Sequence, residues 1–271
     1  MMPHQLNWQE ICQMIPKRKA DAQKGDFGRL LCITGSRNMP GACLLSTQAA
    51  LRGGAGLVTV ATAPENPMRL AAAAPEAMWL PLETDEAGFL RSSDQNRKTL
   101  EKQLSRANAV LLGCGLGVTE ETRRLVHWVL EQAVCPVVLD ADGLNCAVSC
   151  IELSRRTGKD WILTPHPGEM ARLTGHSIPQ IQENRVETAT QFAAAYPVTL
   201  ALKGAGTLVA QRSRLAQNPT GNPGMSRGGS GDVLAGLIAA FAAQGIPSWE
   251  AACAGVYLHG LAGDAAAAAL S

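Results

Sequence analysis

Ala109-Val110-Leu111-Leu112-Gly113-Cys114-Gly115-Leu116-Gly117 leads into Glu120–Gln132 and then into Val137-Val138-Leu139-Asp140, and this succession decides the fold class. The two apolar runs are short and unbroken, as in strands buried on both faces. Between them, Leu125, Val126, Trp128 and Val129 recur at helical spacing. Strand, helix and strand in that order make a parallel pair joined by a crossover. The pattern repeats outward. Leu30–Thr34 reads as a strand, Ala42–Arg52 as a helix and Leu57–Ala61 as a strand, with further strands at Trp161–Leu163 and Val198–Leu202. Gly204-Ala205-Gly206 turns the last of these into a hairpin with Thr207–Gln211, and two alanine-rich helices, Asp232–Ala243 and Trp249–Ala269, close the chain. The expected fold is α/β, a mostly parallel central sheet with helices on both faces. Met1–Gly25 is polar and mixed, an arm or a loosely packed first helix, and Ala71–Ala74 before Pro75 reads as a helix end. With no internal repeat and no linker, the expected division is an N-terminal arm over 1–23 and one domain over 24–271.

Composition narrows the function classes. The chain has 271 residues, of which 46% are hydrophobic and 4% aromatic, so a large core must be built from Ala, Leu, Val and Ile. A net charge of +1 with no basic run argues against nucleic-acid partners, and no apolar stretch is long enough to span a membrane. The first residues carry neither a basic head nor an apolar centre, so they are no secretion signal, and the expected location is the cytoplasm. Eight scattered cysteines, several within apolar runs, read as buried reduced thiols; Cys146 and Cys150 are poorly spaced for zinc.

In parallel sheets ligands gather at the carboxyl ends of the strands, and the informative segments fall there. Gly113–Gly117 follows a strand, but Val118 stands where a dinucleotide-binding turn needs its third glycine, so that cofactor site is rejected. Asp140 and Asp142 follow the next strand; they suit a water-mediated Mg²⁺ or a helix cap, the cap being the plainer role for one of them. Thr164-Pro165-His166-Pro167-Gly168-Glu169 directs His166 between two prolines, a placement that favours function, and leaves Glu169 to orient a metal-bound water or complement the helix dipole. Lys203-Gly204-Ala205-Gly206-Thr207 either wraps a phosphate or is a hairpin turn with a solvated lysine; its order is not that of a P-loop. Gly35–Ala42 is a pocket wall or an ordinary connection.

The chemistry is concentrated in Asn222-Pro223-Gly224-Met225-Ser226-Arg227-Gly228-Gly229-Ser230-Gly231-Asp232. Glycines open a loop, a helix begins, and its free amides at Gly229, Ser230 and Gly231 form an anion hole. A carboxylate there repels an anion, which makes Asp232 poorly suited to holding phosphate alone. It suits a base that takes a proton from a hydroxyl attacking a phosphoryl group.

Taken in order, Lys24–Arg29, Gly53–Val58, Gly113–Gly117, Leu139–Asn145, Thr164–Met170, Lys203–Thr207 and Asn222–Asp232 closely resemble the ADP-dependent NAD(P)H-hydrate dehydratase family, from about Lys24 to Asp264. The resemblance implies a ribokinase-like, carbohydrate-kinase-type fold. It implies dehydration of the (6S) hydrates of NADH and NADPH with ADP as co-substrate, Mg²⁺ as cofactor, and AMP and phosphate as products. By similarity, Lys203, Gly204, Ala205, Gly206, Thr207 and Gly231 would contact the adenine nucleotide. Ala42, Gly115, Gly117, His166 and Asp232 would contact the hydrate. Glu169 would act near Mg²⁺ through water, in an element with His166 where related enzymes have Asn. A homotetramer is implied as well. Ser230 and Gly143 differ from the residues usual in the family, tolerable changes at a helix start and in a turn. Family members commonly continue beyond Ala265–Ser271, and no epimerase segment precedes Lys24, so only the dehydration half is expected. The alternatives are an ATP-dependent kinase of a vitamin precursor and a non-catalytic nucleotide sensor.

Overall fold

The computed structural model describes residues 2–152, 154 and 160–270. Ten strands form one sheet: β1 (His4–Gln5), β2 (Arg29–Ile33), β3 (Leu57–Thr62), β4 (Met78–Pro81), β5 (Ala109–Leu112), β6 (Val137–Leu139), β7 (Trp161–Leu163), β8 (Val198–Leu202), β9 (Leu208–Gln211) and β10 (Arg214–Gln217). Their order is β1-β10-β9-β8-β7-β6-β5-β2-β3-β4. From β8 to β4 every neighbouring pair is parallel, as expected. The expected hairpin is present as the antiparallel pair β8–β9, extended by β10.

The helices that matter below are α1 (Trp8–Met14), α2 (Pro40–Arg52), α3 (Asn66–Leu70), α4 (Asp94–Leu104), α5 (Glu120–Gln132), α6 (Asp142–Ala147), α7 (Pro167–Thr174), α8 (Ile178–Glu183), α9 (Arg185–Ala195), α10 (Ser230–Ala243) and α11 (Ser248–Leu270). None among the described residues is long and apolar enough to cross a membrane.

Alternate residues of each central strand enter opposite cores. Leu31, Ile33, Val110, Leu112, Val137 and Leu139 pack with Leu125, Val126 and Val129 of α5 on one face. Leu30, Cys32, Ala109, Leu111 and Val138 pack with Leu234, Ala235 and Ile238 of α10 on the other. Each fully buried Leu, Ile or Val contributes about 1.5–3 kcal/mol, which explains strands without polar alternation. Helix α10 lies tightly on α2: a Cβ on Gly236 would run into the Ser46 carbonyl. That contact fixes the start of α10 over the carboxyl edge of the sheet.

At the amino end, Leu6 and Ile11 are buried in the α10 core, and β1 pairs in parallel with β10. Six cysteines are buried, whereas Cys12 is exposed and Cys135 half-buried.

Candidate active site

Four strand ends and one helix start converge. Asp140, directly after β6, is 1% exposed and accepts three hydrogen bonds or ionic contacts. Lys203 Nζ lies 2.6 Å from its Oδ1, Thr164 Oγ1 donates to the same oxygen at 2.7 Å, and Cys114 Sγ donates to Oδ2 at 3.8 Å. Lys203 also stands 3.6 Å from Glu169 Oε2. Burial alone would lower the Lys203 pKa, but Asp140 and Glu169 outweigh it and raise it, so the ammonium stays charged. The lysine is therefore no solvated hairpin residue. Its main chain is held by Pro165, whose carbonyl accepts from the Lys203 amide at 2.8 Å.

Asp232 enters from the first turn of α10. Its carboxylate, Asp140 and the Cys114 sulfur lie within 4.8 Å of one another. Burial raises the Asp232 pKa to about 6, with the Asp140 charge adding to the rise; Cys114 and Lys203 oppose it. The helix start leaves its opening amides without a side-chain cap, and Gly229 takes the left-handed conformation at φ 89°. The Ser230 amide is occupied by the Arg227 carbonyl at 3.4 Å. A Cβ on Gly231 would stand 3.3 Å from Lys203 Nζ and 3.7 Å from Asp140 Oδ2, so the glycine brings its backbone against the charged cluster.

The loop ahead of α10 is anchored from α11. Asp264 accepts from the Gly221 amide at 2.8 Å and from Asn222 Nδ2 at 2.9 Å. These contacts give Asn222 a structural use that its place in the motif did not reveal.

One expected role needs correction, and His166 has a second one. Neither Asp140 nor Asp142 caps α6, whose start has no side-chain cap. Asp140 is spent on Lys203 and Thr164, and Asp142 Oδ2 instead accepts the Gly117 amide at 2.7 Å. Ala141 between them adopts φ 49°, a strained left-handed conformation for a residue with a Cβ. His166 is the cap of α7. Its Nδ1 accepts from the Gly168 amide at 2.9 Å and the Glu169 amide at 3.4 Å, while Glu169 Oε2 accepts the His166 amide at 2.8 Å. Nδ1 is thus engaged as an acceptor, Nε2 lies 3.4 Å from Glu169 Oε1, and the side chain as a whole is half-exposed.

The remaining residues group as two neighbourhoods. Gly115, at φ 66°, lies against α2: its Cβ would stand 2.8 Å from Ala42 Cβ and 3.0 Å from Met39 Cβ. Phe89 packs on Gly117, and Arg185 packs on Gly204. The Arg185 guanidinium donates to the Leu202 carbonyl at 3.1 Å and the Lys203 carbonyl at 3.3 Å, and Thr207 Oγ1 donates to the Gly204 carbonyl at 3.0 Å. Phe89 and Arg185 lie far from these glycines in the chain, and no local pattern singled them out. His259 of α11 is also near: burial lowers its pKa, and the Lys203 charge adds to this.

The chain as a whole matches known proteins. A family model described as NAD(P)H-hydrate dehydratase covers residues 30–270. The chain belongs to the NAD(P)H-hydrate dehydratase family. The bifunctional NAD(P)H-hydrate repair enzyme of Moorella thermoacetica is 42% identical over 93% of this chain and 48% of its own length. The ADP-dependent (S)-NAD(P)H-hydrate dehydratase of Neisseria meningitidis is 38% identical over 91% and 80%. The chain thus spans about half the length of the bifunctional relatives. Among solved structures, the ADP/ATP-dependent NAD(P)H-hydrate dehydratase of Bacillus subtilis, co-crystallised with ATP and Mg²⁺, superposes with a TM-score of 0.79. It is 31% identical, and the match covers 96% of this chain and 88% of that one. The family members named here are dehydratases, hence hydro-lyases, and their ribokinase-like architecture is the one described above.

Mg²⁺, which that relative was crystallised with, finds a partial fit. Glu169 is buried and both its oxygens already have partners, so it would meet the ion only through water. Such a site suits a Mg²⁺ that keeps most of its waters and rides on nucleotide phosphates.

Proposed function

We propose that this chain removes water from the (6S) hydrates of NADH and NADPH, using ADP and yielding AMP and phosphate. The observation that carries the reading is Asp232: a carboxylate with its pKa raised to about 6, in the first turn of a helix with no side-chain cap. A base with that pKa is ionised at neutral pH and still accepts a proton readily.

Hydroxide is a poor leaving group. Asp232 takes the proton of the ring hydroxyl as its oxygen bonds to the terminal phosphorus of ADP and the bond to AMP breaks. The ring nitrogen lone pair then expels phosphate, the resulting iminium loses a ring proton, and the reduced nicotinamide is restored. The hydroxyl oxygen leaves in the phosphate, and the Asp232 proton passes to solvent. The Gly231 and Asp232 amides and the Lys203 ammonium stabilise charge on the moving phosphoryl group. Bound Mg²⁺ would supply further neutralisation of the phosphates. Lys203, Gly204, Ala205, Gly206 and Thr207 face the nucleotide in this reading. Ala42, Gly115, Gly117 and His166 face the hydrate, and Ala42 and Gly115 already touch. The uncharged, exposed end of α11 at Ala265–Leu270 supports self-association, with a tetramer as the expected form and the cytoplasm as its place.

The test is to mix protein, hydrated NADH and Mg²⁺ with ADP or ATP and follow the return of reduced-nicotinamide absorbance. Recovery with ADP is expected. Silence with both nucleotides overturns the reading. Hydrate-independent transfer from ATP to a thiazole, pyrimidine or pyridoxal alcohol would install the kinase in its place.

A further inference from the structure

We propose that Arg185 is a positioning residue for the nucleotide: from the start of α9 its guanidinium grips the carbonyls of the turn between β8 and β9 and sets that turn in the shape that receives the co-substrate. The inference rests on the functional reading above for the identity of the co-substrate, and on geometry for the grip itself.

Three observations lead there. First, the guanidinium spans the turn. Nη2 donates to the Leu202 carbonyl at 3.1 Å and reaches the Gly206 carbonyl at 3.5 Å, while Nη1 donates to the Lys203 carbonyl at 3.3 Å. A Cβ on Gly204 would run into Nη1, so the glycine lets the group come this close. Second, nothing else accounts for a half-buried arginine here. Burial lowers its pKa, and among the described residues no carboxylate pairs with it. Its own helix does not ask for it either, since a cation in the first turn of α9 opposes the helix dipole. Third, α9 is a firm base for the grip. Its Ala189, Phe192 and Ala193 are buried in one core with Leu200 and Leu202 of β8 and Leu208 of β9.

The consequence follows from the peptide plane. In a trans peptide the carbonyl and the next amide point opposite ways. The Leu202 carbonyl faces Arg185, and the Lys203 amide across the same peptide donates to the Pro165 carbonyl at 2.8 Å. Holding the Lys203 carbonyl towards α9 likewise turns the Gly204 amide away from it, and that amide has no partner among the described residues. It is left to donate to a bound nucleotide. Gly204 itself cannot keep this arrangement. At φ 145° and without a Cβ, it lets the neighbouring peptide rotate at little cost, so the orientation must be imposed from outside the turn. Without the guanidinium the turn samples several shapes, and the nucleotide must bear the cost of ordering it. The hydrate is spared, because its wall at Ala42 and Gly115 is built from other elements.

The experiment compares Arg185→Met and Arg185→Lys with wild type in two assays. One is calorimetric titration with ADP; the other is the steady-state kinetics of hydrate repair. Arg185→Met keeps an apolar stem and loses every donor. It should weaken ADP binding and raise the nucleotide KM together by about 10-fold, the effect of lost hydrogen bonds to one charged group. The hydrate KM, and kcat at saturating ADP, should stay as in wild type, a split that general loosening of the fold would not produce. Arg185→Lys keeps the charge but cannot span two carbonyls, so its ADP affinity should fall between the other two. Unchanged ADP affinity in a folded Arg185→Met protein overturns the proposal, as does an equal rise in the hydrate KM. If Arg185→Met does not fold, Arg185→Lys decides alone, and wild-type affinity there overturns it. Wild type that binds neither ADP nor ATP overturns it too. If wild type binds ADP without turnover, the functional reading falls, while the calorimetry still decides the grip.

Discussion

Asp140 and Asp232 approach the same few ångströms from opposite sides, one from the end of β6 and the other from the start of α10. They differ in company. Asp140 holds an ammonium at 2.6 Å and a hydroxyl at 2.7 Å, and is closed from solvent. Asp232 is partly open, and its burial, then the neighbouring Asp140 charge, raise its pKa to about 6. Two chemically identical side chains thus serve differently, one tied to a lysine and a hydroxyl, the other open to accept a proton. Their neighbours decide which is which: an ammonium and a hydroxyl on one, burial beside a like charge on the other.

The largest expected effect tests the acceptor side. Asp232→Asn should lower kcat by about 10³-fold while nucleotide binding, followed by calorimetry, persists; a loss of about 10² to 10⁴ is usual for a general base. In wild type, activity should fall as pH drops through about 6, where Asp232 takes a proton. Stability should run the other way. Because the folded state holds this proton more tightly than the unfolded state, stability declines as pH rises from the ordinary carboxylate range to about 6. Asp232→Asn should therefore melt higher than wild type at pH 8, with the difference gone at pH 4. Equal turnover in the variant would remove the distinction between the two aspartates.

Next comes the fixed side. Lys203→Met strands Asp140 and Glu169 as buried, unpaired carboxylates, a change expected to cost about 3–5 kcal/mol in urea unfolding. It also removes a charge that holds the Asp232 pKa down, so any residual activity should fade at a higher pH than in wild type. An unchanged unfolding midpoint would mean that the Lys203–Asp140 pair does not hold the strand ends.

A smaller effect is expected at the wall between β5 and α2. Gly115→Ala adds a Cβ to a left-handed residue, at about 1–2 kcal/mol, and presses on Ala42. The KM for hydrate should rise in this variant, with the nucleotide KM unchanged. His166 sharpens the comparison least. His166→Ala removes the α7 cap, about 1 kcal/mol by thermal unfolding, and His166→Asn restores most of it because Asn also caps. If hydrate KM rises in both, the imidazole meets substrate; if it recovers with Asn, only the cap matters.

Much of this was legible in the chain. The strands at Ala109–Leu112, Val137–Leu139, Trp161–Leu163 and Val198–Leu202 and the helix Glu120–Gln132 appear within the bounds that apolar runs and helical spacing give. Strands β1, β4 and β10 did not: Met78–Pro81 and Arg214–Gln217 are short edge-side segments with mixed burial, and two residues make β1. Glycines and the lone aspartate announced the helix start at Gly229–Asp232, because local backbone geometry needs those residues wherever they fold. The pairing of Lys203 with Asp140 and Glu169 was not announced, because no local period links residues so far apart in the chain. The His166 cap lay within reach of local reading, since Glu169 follows three residues later, but histidine is an uncommon cap.

Sequence alone determined the strand–helix alternation, the burial of strands on both faces and the strand ends where polar residues collect, since these follow from spacing and side-chain type along a short stretch. Tertiary structure decided which of the carboxylates is neutralised, where Cys114, Phe89 and Arg185 pack, and how α10 meets the sheet. Those outcomes depend on distances across strands and on exclusion of water, which no neighbouring residue in the chain encodes.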